Sequence, residues 1–367
     1  MTARNSLAVT DADANRDAHV SERSMELAAF NPITYPGWDG LLQTHPQAGF
    51  FHTSTWARVL AESYGYRPHY VTLTENGRLV GLVPLMEIDS LLTGRRGSAL
   101  PFTDACEPLA RDAGDFRRLF AAVVARAVQA RWRTIELRGG GEFLNGSPTA
   151  SEFLVHTLML GDDEEAVTRG FHATTRRNVR KSAGDEITVR RSISREAMVA
   201  YYRLHCATRR RHGLPPQPWR FFASIQRRVL ATGGGFIMLA ASGGRPAAGA
   251  VFFHFNGSAI YKFGAYDPRF RHLRPNNRVM WEAIRWCCRN GIRRLSLGRT
   301  EPGDQGLLQY KKSWGAASHR LAYYRYDVKR GALTSRPSPV RSSYPVLRIL
   351  PSGLLRLAGS LLYRHIG

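Results

Sequence analysis

Cysteine and lysine are both scarce in this chain of 367 residues. The four cysteines exclude a disulfide-stapled scaffold. Cys287 and Cys288 are adjacent, while Cys106 and Cys206 stand alone, so no zinc spacing exists and no metal is expected. No run approaches ~18 consecutive apolar residues, which excludes an evident membrane-spanning helix. Residues 1–25 are polar and lack the apolar core of a signal peptide, so a loose tail and a reducing, cytoplasmic setting are expected. Walker, GxGxxG, HExxH and GxSxG patterns are missing as well. Acids are outnumbered, with 29 Asp plus Glu against 52 Lys plus Arg and a formal charge of +23. Only Lys181, Lys262, Lys311, Lys312 and Lys329 are lysines, which leaves 47 arginines.

A hydrophobic fraction of 43% is too high for a largely disordered chain. The length suits about two domains. A repeat supports that division. Residues 53–88 read as a helix followed by a hairpin, with strands His69–Thr74 and Leu79–Ile88 around an Asn76-Gly77 turn. Residues 217–255 repeat this order, with a helix carrying Phe221, Ile225 and Val229 and a hairpin around Gly243-Gly244. Each copy continues into a second helix and a strand, Thr134–Leu137 in one and Arg293–Leu297 in the other. Gly77 and Gly244 lie 167 residues apart, and Ile135 and Leu295 lie 160 apart. Two copies of one helix–hairpin–helix–strand unit are therefore expected, joined near Gly161. The second copy adds a strand, Ala259–Ala265, and opens on the basic helix HATTRRNVRKSAG.

Three stretches could carry chemistry. DPRFRHLRPNNRVMWEAI (267–284) brings Arg271, Arg274, Asn276, Asn277 and Arg278 to a helix start, where unpaired N–H groups and the helix dipole favour an anion. Ordinary capping by Pro275 and Asn276, with solvated arginines, is the alternative. LSLGRTEPGDQGLLQYKKSWGA (295–316) sets two of the five lysines after a glycine-rich loop. A lysine is a compact point charge suited to a developing oxyanion; surface charges beside a packed Trp314 are the alternative. GSALPFTDACEPLA (97–110) reads as a loop whose acids, Asp104 and Glu107, flank Cys106. Asp104 suits orientation of an attacking amine or hydroxyl, or the capping of a turn. Cys106 has no histidine close in sequence to activate it.

These motifs carry a resemblance. The duplicated unit resembles two tandem GNAT-type domains, and the order of features resembles the FemAB-like branch, with its BioF2-like acetyltransferase domain and its peptidoglycan-bridge aminoacyltransferases. The matching blocks are TTRRNVRKS (174–182), GRPAAGAVFFHFNGSAIYKFGAYDP (244–268), PNNRVMWEAIRWCCRNGIRRLSLGR (275–299) and GLLQYKKSWGA (306–316). Within the branch, LLTGRRGSALPFTDACEPL (91–109) and the basic C-terminal tail are similar to FemAB-type proteins of exopolysaccharide and exosortase (PEP-CTERM) systems.

The resemblance implies an α/β (α+β) fold of two GNAT-like domains, at 26–160 and 161–330, each a mixed, mainly antiparallel sheet flanked by helices, with a basic amphipathic tail at 331–367. It implies acyl or aminoacyl transfer onto an amine or hydroxyl of a saccharide or lipid-linked envelope precursor. Lys311 matches the family's conserved lysine and Asp104 its acceptor-orienting acid. Arg271, Arg274, Asn276, Asn277 and Arg278 fall at the donor site; Arg176, Arg177, Arg180, Tyr310 and Trp314 fall among the substrate contacts. GNAT enzymes usually carry Q/R-x-x-G-x-G/A at the donor pyrophosphate, and here Arg271–Asn276 contain no glycine. Acyl-CoA and aminoacyl-tRNA therefore both stay open as donors.

The tRNA alternative also draws on residues 172–211, which hold eleven bases against three acids. A non-catalytic holder of anionic polymer is the third reading. No helix-turn-helix or aromatic–basic reader pattern supports DNA binding. The tail has no acid after Val328 and sets leucines at helical spacing between Arg348, Arg356 and Arg364. It suits either packing on the fold or lying on the inner face of the plasma membrane.

Overall fold

A computed structural model describes residues 25–184, 186–335 and 345–366. The loose tail expected at 1–25 lies outside them except for Met25, which begins a strand. The first half of the chain runs β1 (Met25–Phe30), α1 (Trp38–Gln43), α2 (Ser54–Tyr64), β2 (Arg67–Glu75), β3 (Arg78–Ile88), β4 (Arg96–Ser98), α3 (Ala113–Gln129), β5 (Thr134–Arg138) and β6 (Ser151–Met159). The second half runs α4 (Glu164–Arg169), α5 (Ala173–Lys181), β7 (Thr188–Ser192), α6 (Arg195–Arg211), α7 (Trp219–Ile225), β8 (Gly235–Ser242), β9 (Arg245–Phe255) and β10 (Ser258–Tyr266). It continues through α8 (Pro275–Arg289), β11 (Arg294–Thr300), α9 (Gln305–Ser313), β12 (Ala317–Asp327), β13 (Ala332–Leu333) and α10 (Ser352–Ile366). No helix among the described residues is long and apolar enough to cross a membrane.

Local chemistry explains the repeated unit. In the β2–β3 hairpin Asn76 and Gly77 have φ of 50° and 76°; in the β8–β9 hairpin Gly243 and Gly244 have 53° and 75°. Both central residues at positive φ make the tight turn whose twist matches the flanking strands. Helix α2 starts where the Thr53 side chain accepts from the Trp56 N–H and stops at Gly65, φ 74°. The first copy has its own third strand, β4, but only three residues long. The stretch read as the loop 97–110 therefore begins as a strand.

All strands join one mixed, mostly antiparallel sheet flanked by helices, in the order β1-β2-β3-β4-β5-β12-β6-β11-β10-β9-β8-β7, with β13 on β12. Among the described strands only β4–β5 and β10–β11 pair in parallel. The halves exchange their last strands. β12, at the end of the second half, pairs with β5 of the first, placing Tyr323 opposite Arg138. β6 pairs with β11, placing Leu158 opposite Leu295. β6 and β12 then meet each other at the centre, Phe153 opposite Leu321.

Alternation along β3 sends Val83 and Leu85 to a core beneath α3, and Leu82 and Met86 to a core on the other face. That second core is common to both halves. Trp56 of α2 meets Phe221 of α7 at 5.9 Å, and Phe50 stacks on Phe253 at 4.6 Å. Trp56, Phe221 and Phe253 are fully buried, and truncating such an aromatic typically costs about 3–5 kcal/mol. A third core lies between α8 and strands β8–β9.

Candidate active site

Between the halves, on the sheet face opposite α3 and α8, lies a cavity of about 890 Å³. Asp104 and Arg138 enter its wall from the first half, Lys262 and Arg299 from the second, and Tyr323 from the exchanged strand β12.

Asp104 sits on a strained loop. Leu100 and Phe102 have φ of 33° and 65°, a region that bulky side chains rarely adopt. The surroundings hold the loop there. Arg138 donates to the carbonyls of Leu100 and Thr103 at 3.3 Å, and the Tyr323 hydroxyl donates to the Asp104 carbonyl at 2.5 Å. Arg138 is itself paired with Glu136 at 3.0 Å. Burial pushes the Tyr323 phenol up to about 12, so it stays a donor at neutral pH.

The Asp104 carboxylate accepts from Lys262 Nζ at 3.2 Å. Lys262 interrupts the β9–β10 register between Tyr261 and Phe263, a bulge that re-aims a side chain. Its ammonium lies 5.2 Å from the Phe263 ring centre and 5.6 Å from that of Phe51. Burial lowers its proton affinity, Asp104 opposes that, and Arg299 and Arg138 add to the lowering. Lys262 is not among the expected site residues, although the scarcity of lysine in this chain marks it.

Strand β11 is irregular opposite this pair. Its register with β6 shifts between Ser296 and Arg299, and Gly298 has φ 74°. A Cβ on Gly298 would lie 2.9 Å from an Asp104 carboxylate oxygen, so glycine is what admits the acid. Pairing of β10 with β11 ends at Ile260 and Ser296, just before this point.

Lys311 lies behind the same bulge. It is buried, and its Nζ donates at 2.9 Å to the carbonyls of Gly298 and of Arg299. Burial lowers its pKa to about 8, with Asp104 and Asp304 pulling upward and Lys262 and Arg299 adding to the fall. The two lysines, expected after a glycine-rich loop, stand on the last turn of α9, which Asp304 caps by accepting from the Leu307 N–H. Arg299 stacks its guanidinium 4.1 Å from the centre of Phe153 and 5.1 Å from that of Tyr323, which aims a cation into the cavity.

Other groups are inert. Burial holds His205, hydrogen-bonded to Gln217, down at about 3, and His156, beside Ser318, at about 4. Both imidazoles are neutral at pH 7. Burial pushes the Cys106 thiol far up, which removes it as a nucleophile. Among the described residues no group of three His, Cys, Asp or Glu side chains could hold a metal ion.

The remaining expected residues fall in three places. Trp314 is fully buried in the core beneath α8, and Tyr310 packs edge-on against it at 6.3 Å. On α5, Arg176 donates to the carbonyls of Arg169 and Phe171, whereas Arg177 and Arg180 are exposed. At the start of α8, Arg274 takes φ 56°, the conformation a glycine would supply, and donates to Asn178 at 3.4 Å. Asn276 and Asn277 form the first turn with it, and Arg278 pairs with Glu282 at 3.1 Å. Arg271 lies on the preceding 3₁₀ turn, Pro268–Leu273.

Comparisons with known proteins agree with this architecture. Residues 169–312 match the acetyltransferase (GNAT) domain family, so the second half carries a GNAT-type domain. A crystal structure of FemX superposes with a TM-score of 0.65 at 13% identity, covering 77% of this chain and 94% of that one. A tandem GNAT protein from the clavulanic acid biosynthesis pathway gives a TM-score of 0.53 at 12% identity over 83% of this chain and 99% of that one. The C-terminal domain of a putative lysylphosphatidylglycerol synthetase from Agrobacterium fabrum gives 0.50 at 12% identity, over 77% and 88%. No curated protein matches the sequence. At these identities the structural likeness is one of fold.

Proposed function

We propose that this chain is an acyltransferase that moves an acyl group from acyl-CoA onto an amine or hydroxyl of a saccharide precursor bound in the central cavity. The observation that carries this reading is the Asp104–Lys262 pair at 3.2 Å, set in the cavity wall against the Gly298 bulge. The two residues come from different halves, which join as GNAT-like units at 26–160 and 161–330. Asp104 accepts the proton of the acceptor group as that group attacks the thioester carbonyl. The oxyanion so formed is stabilised by the Lys262 ammonium in the cavity wall, with Lys311 adding its charge from behind the Gly298 bulge that it holds in place. Collapse expels the CoA thiolate, which takes up the proton as the free thiol, so charge and atoms balance.

The donor is assigned to the start of α8. The left-handed Arg274 preserves the turn without glycine, and the helix's first turn holds no acid. The cationic cavity wall suits an acceptor carrying phosphate or carboxylate, which fits a cell-envelope or exopolysaccharide precursor. Free thiol released from acyl-CoA in the presence of aminosugar or sugar phosphate acceptors tests the reading. No release above hydrolysis across acyl chain lengths and acceptors would sink it.

One observation favours an aminoacyl-tRNA donor instead. Helix α5 exposes Arg177, Arg180 and Lys181 and contains no acid. Transfer from charged tRNA, with binding that weakens steeply as salt rises, would select that donor. Turnover with either donor would exclude a purely non-catalytic holder of anionic polymer.

A further inference from the structure

We propose that α10 and the tip of the loop at 89–95 form one docking face for an anionic lipid bilayer, beside the mouth of the cavity. Helix α10 is an ordered part of the fold. Leu355 and Tyr363 are buried, and a Cβ on Gly359 would lie 2.0 Å from the Pro216 carbonyl. The Tyr66 hydroxyl donates to the Tyr363 carbonyl at 2.8 Å, and Arg209 donates to the Tyr363 hydroxyl at 2.8 Å. These anchors, four residues apart, fix the rotation of the helix about its axis.

A second apolar stripe faces away from the anchors. Leu354, Leu357 and Leu361 follow one another at helical spacing and are 54%, 56% and 60% exposed. At the far end of the helix the 89–95 loop is tied to its last turn. The Ser90 hydroxyl meets His365 Nδ1 at 2.9 Å, and the Thr93 hydroxyl donates to the His365 carbonyl at 3.1 Å. That loop presents Leu91 and Leu92 at 100% and 70% exposure. A strongly exposed leucine pair beside an exposed leucine stripe is costly in water.

Charge complementarity selects the occupant. Arg356 and Arg364 are exposed on the same helix, with exposed Arg348 just before it and Arg210 bonded to the Arg348 carbonyl. From Val328 to Gly367 the chain has seven Lys and Arg residues and no acid. Leucines bordered by arginines match an anionic headgroup layer over acyl chains. A second copy would bring the same arginines together, which disfavours a dimer through this face.

Thr93, Arg96 and His365 also line the cavity, so docking would hold its mouth at the lipid surface. A lipid-linked acceptor is then the substrate class; this part alone rests on the acyl-transfer reading.

Flotation of the full chain with phosphatidylcholine vesicles, with or without about one-third phosphatidylglycerol, tests the docking. The chain should float with the anionic vesicles only. The pairs Leu91→Asp/Leu92→Asp and Leu357→Asp/Leu361→Asp should each lower partitioning at least ~10-fold. Arg356→Gln/Arg364→Gln should lower it about 10-fold, as should high salt. Unaltered melting and thiol release with a soluble acceptor would certify the fold, and Leu91→Ser/Leu92→Ser provides a milder pair. Failure of the chain to float with anionic vesicles overturns the proposal, as does equal flotation of the leucine variants. A dimer that Leu357→Asp/Leu361→Asp splits would also overturn it, by assigning the stripe to a second copy. Vesicle binding without any acyl transfer would refute the enzymatic reading and leave docking intact.

Discussion

Helices α3 and α8 hold the same place in the two halves, yet their first turns are opposite in charge. α3 begins at Asp112, whose carboxylate already accepts from the N–H groups of Gly114 and Asp115, and Asp115 follows in the first turn. α8 begins at Arg274 with no side-chain cap and no acid in its first turn. An anion can therefore bind at α8 and is repelled at α3. The third strands differ in the same sense. β10 runs nine residues and bulges at Lys262, while β4 stops after three and gives way to the strained loop that carries Asp104. On the acyl-transfer proposal, two copies of one unit divide the work: one offers a helix start suited to the donor, and the other delivers an acid to the cavity.

The largest test of this division removes the delivered acid. Asp104→Asn should lower kcat by ~10²–10³ with melting unchanged within a few degrees, measured by thiol release; an active variant would leave the first half without a chemical role. Lys262→Met should act similarly from the other side of the pair. Next comes Lys311→Ala, with about 10²-fold lower kcat. The lysine is cationic below its pKa of about 8 and neutral above it, so wild-type activity should fall as pH rises through about 8. Lys311→Arg should carry that alkaline limb upward if folding tolerates the larger group.

A smaller effect separates the two helix starts directly. Arg274→Glu should raise the KM for acyl-CoA about 10-fold with little change in kcat, whereas Asp112→Ala should leave KM alone. The smallest is structural: Asp112→Ala removes the cap of α3 and should lower Tm by about 2–4 °C. A KM change in the Asp112 variant would break the comparison.

The duplication was legible because its signals are local. Asn-Gly and Gly-Gly turns and helical spacing of apolar residues act within a few residues. The exchange of β6 and β12 was not, since no local feature of SEFLVHTLM tells whether it pairs with β5 or β11. Asp104 and Lys311 stood out as an acid in a loop and a rare residue type, but the bulge that brings Lys262 to Asp104 leaves no mark in AIYKFGAY. The glycine-rich loop before Lys311 is shorter than it reads: Gly306 lies inside α9, where the Asp304 cap and the burial of Leu308 and Lys311 make helix. The C-terminal leucines were visible as a stripe; that the helix has two apolar faces, one anchored and one open, required Gly359 and Tyr363 to be seen against Pro216 and Tyr66.

The strand exchange also bears on how the protein is made. Tyr323 follows its partner Arg138 by 185 residues, so β5 leaves the ribosome with an open edge and waits for most of the second half. At usual elongation rates that wait is roughly 10–40 s. During it the nascent chain exposes the edges of β5 and β6, which are templates for intermolecular pairing. The two halves mature together, and synthesis must reach Asp327 before the single sheet is closed.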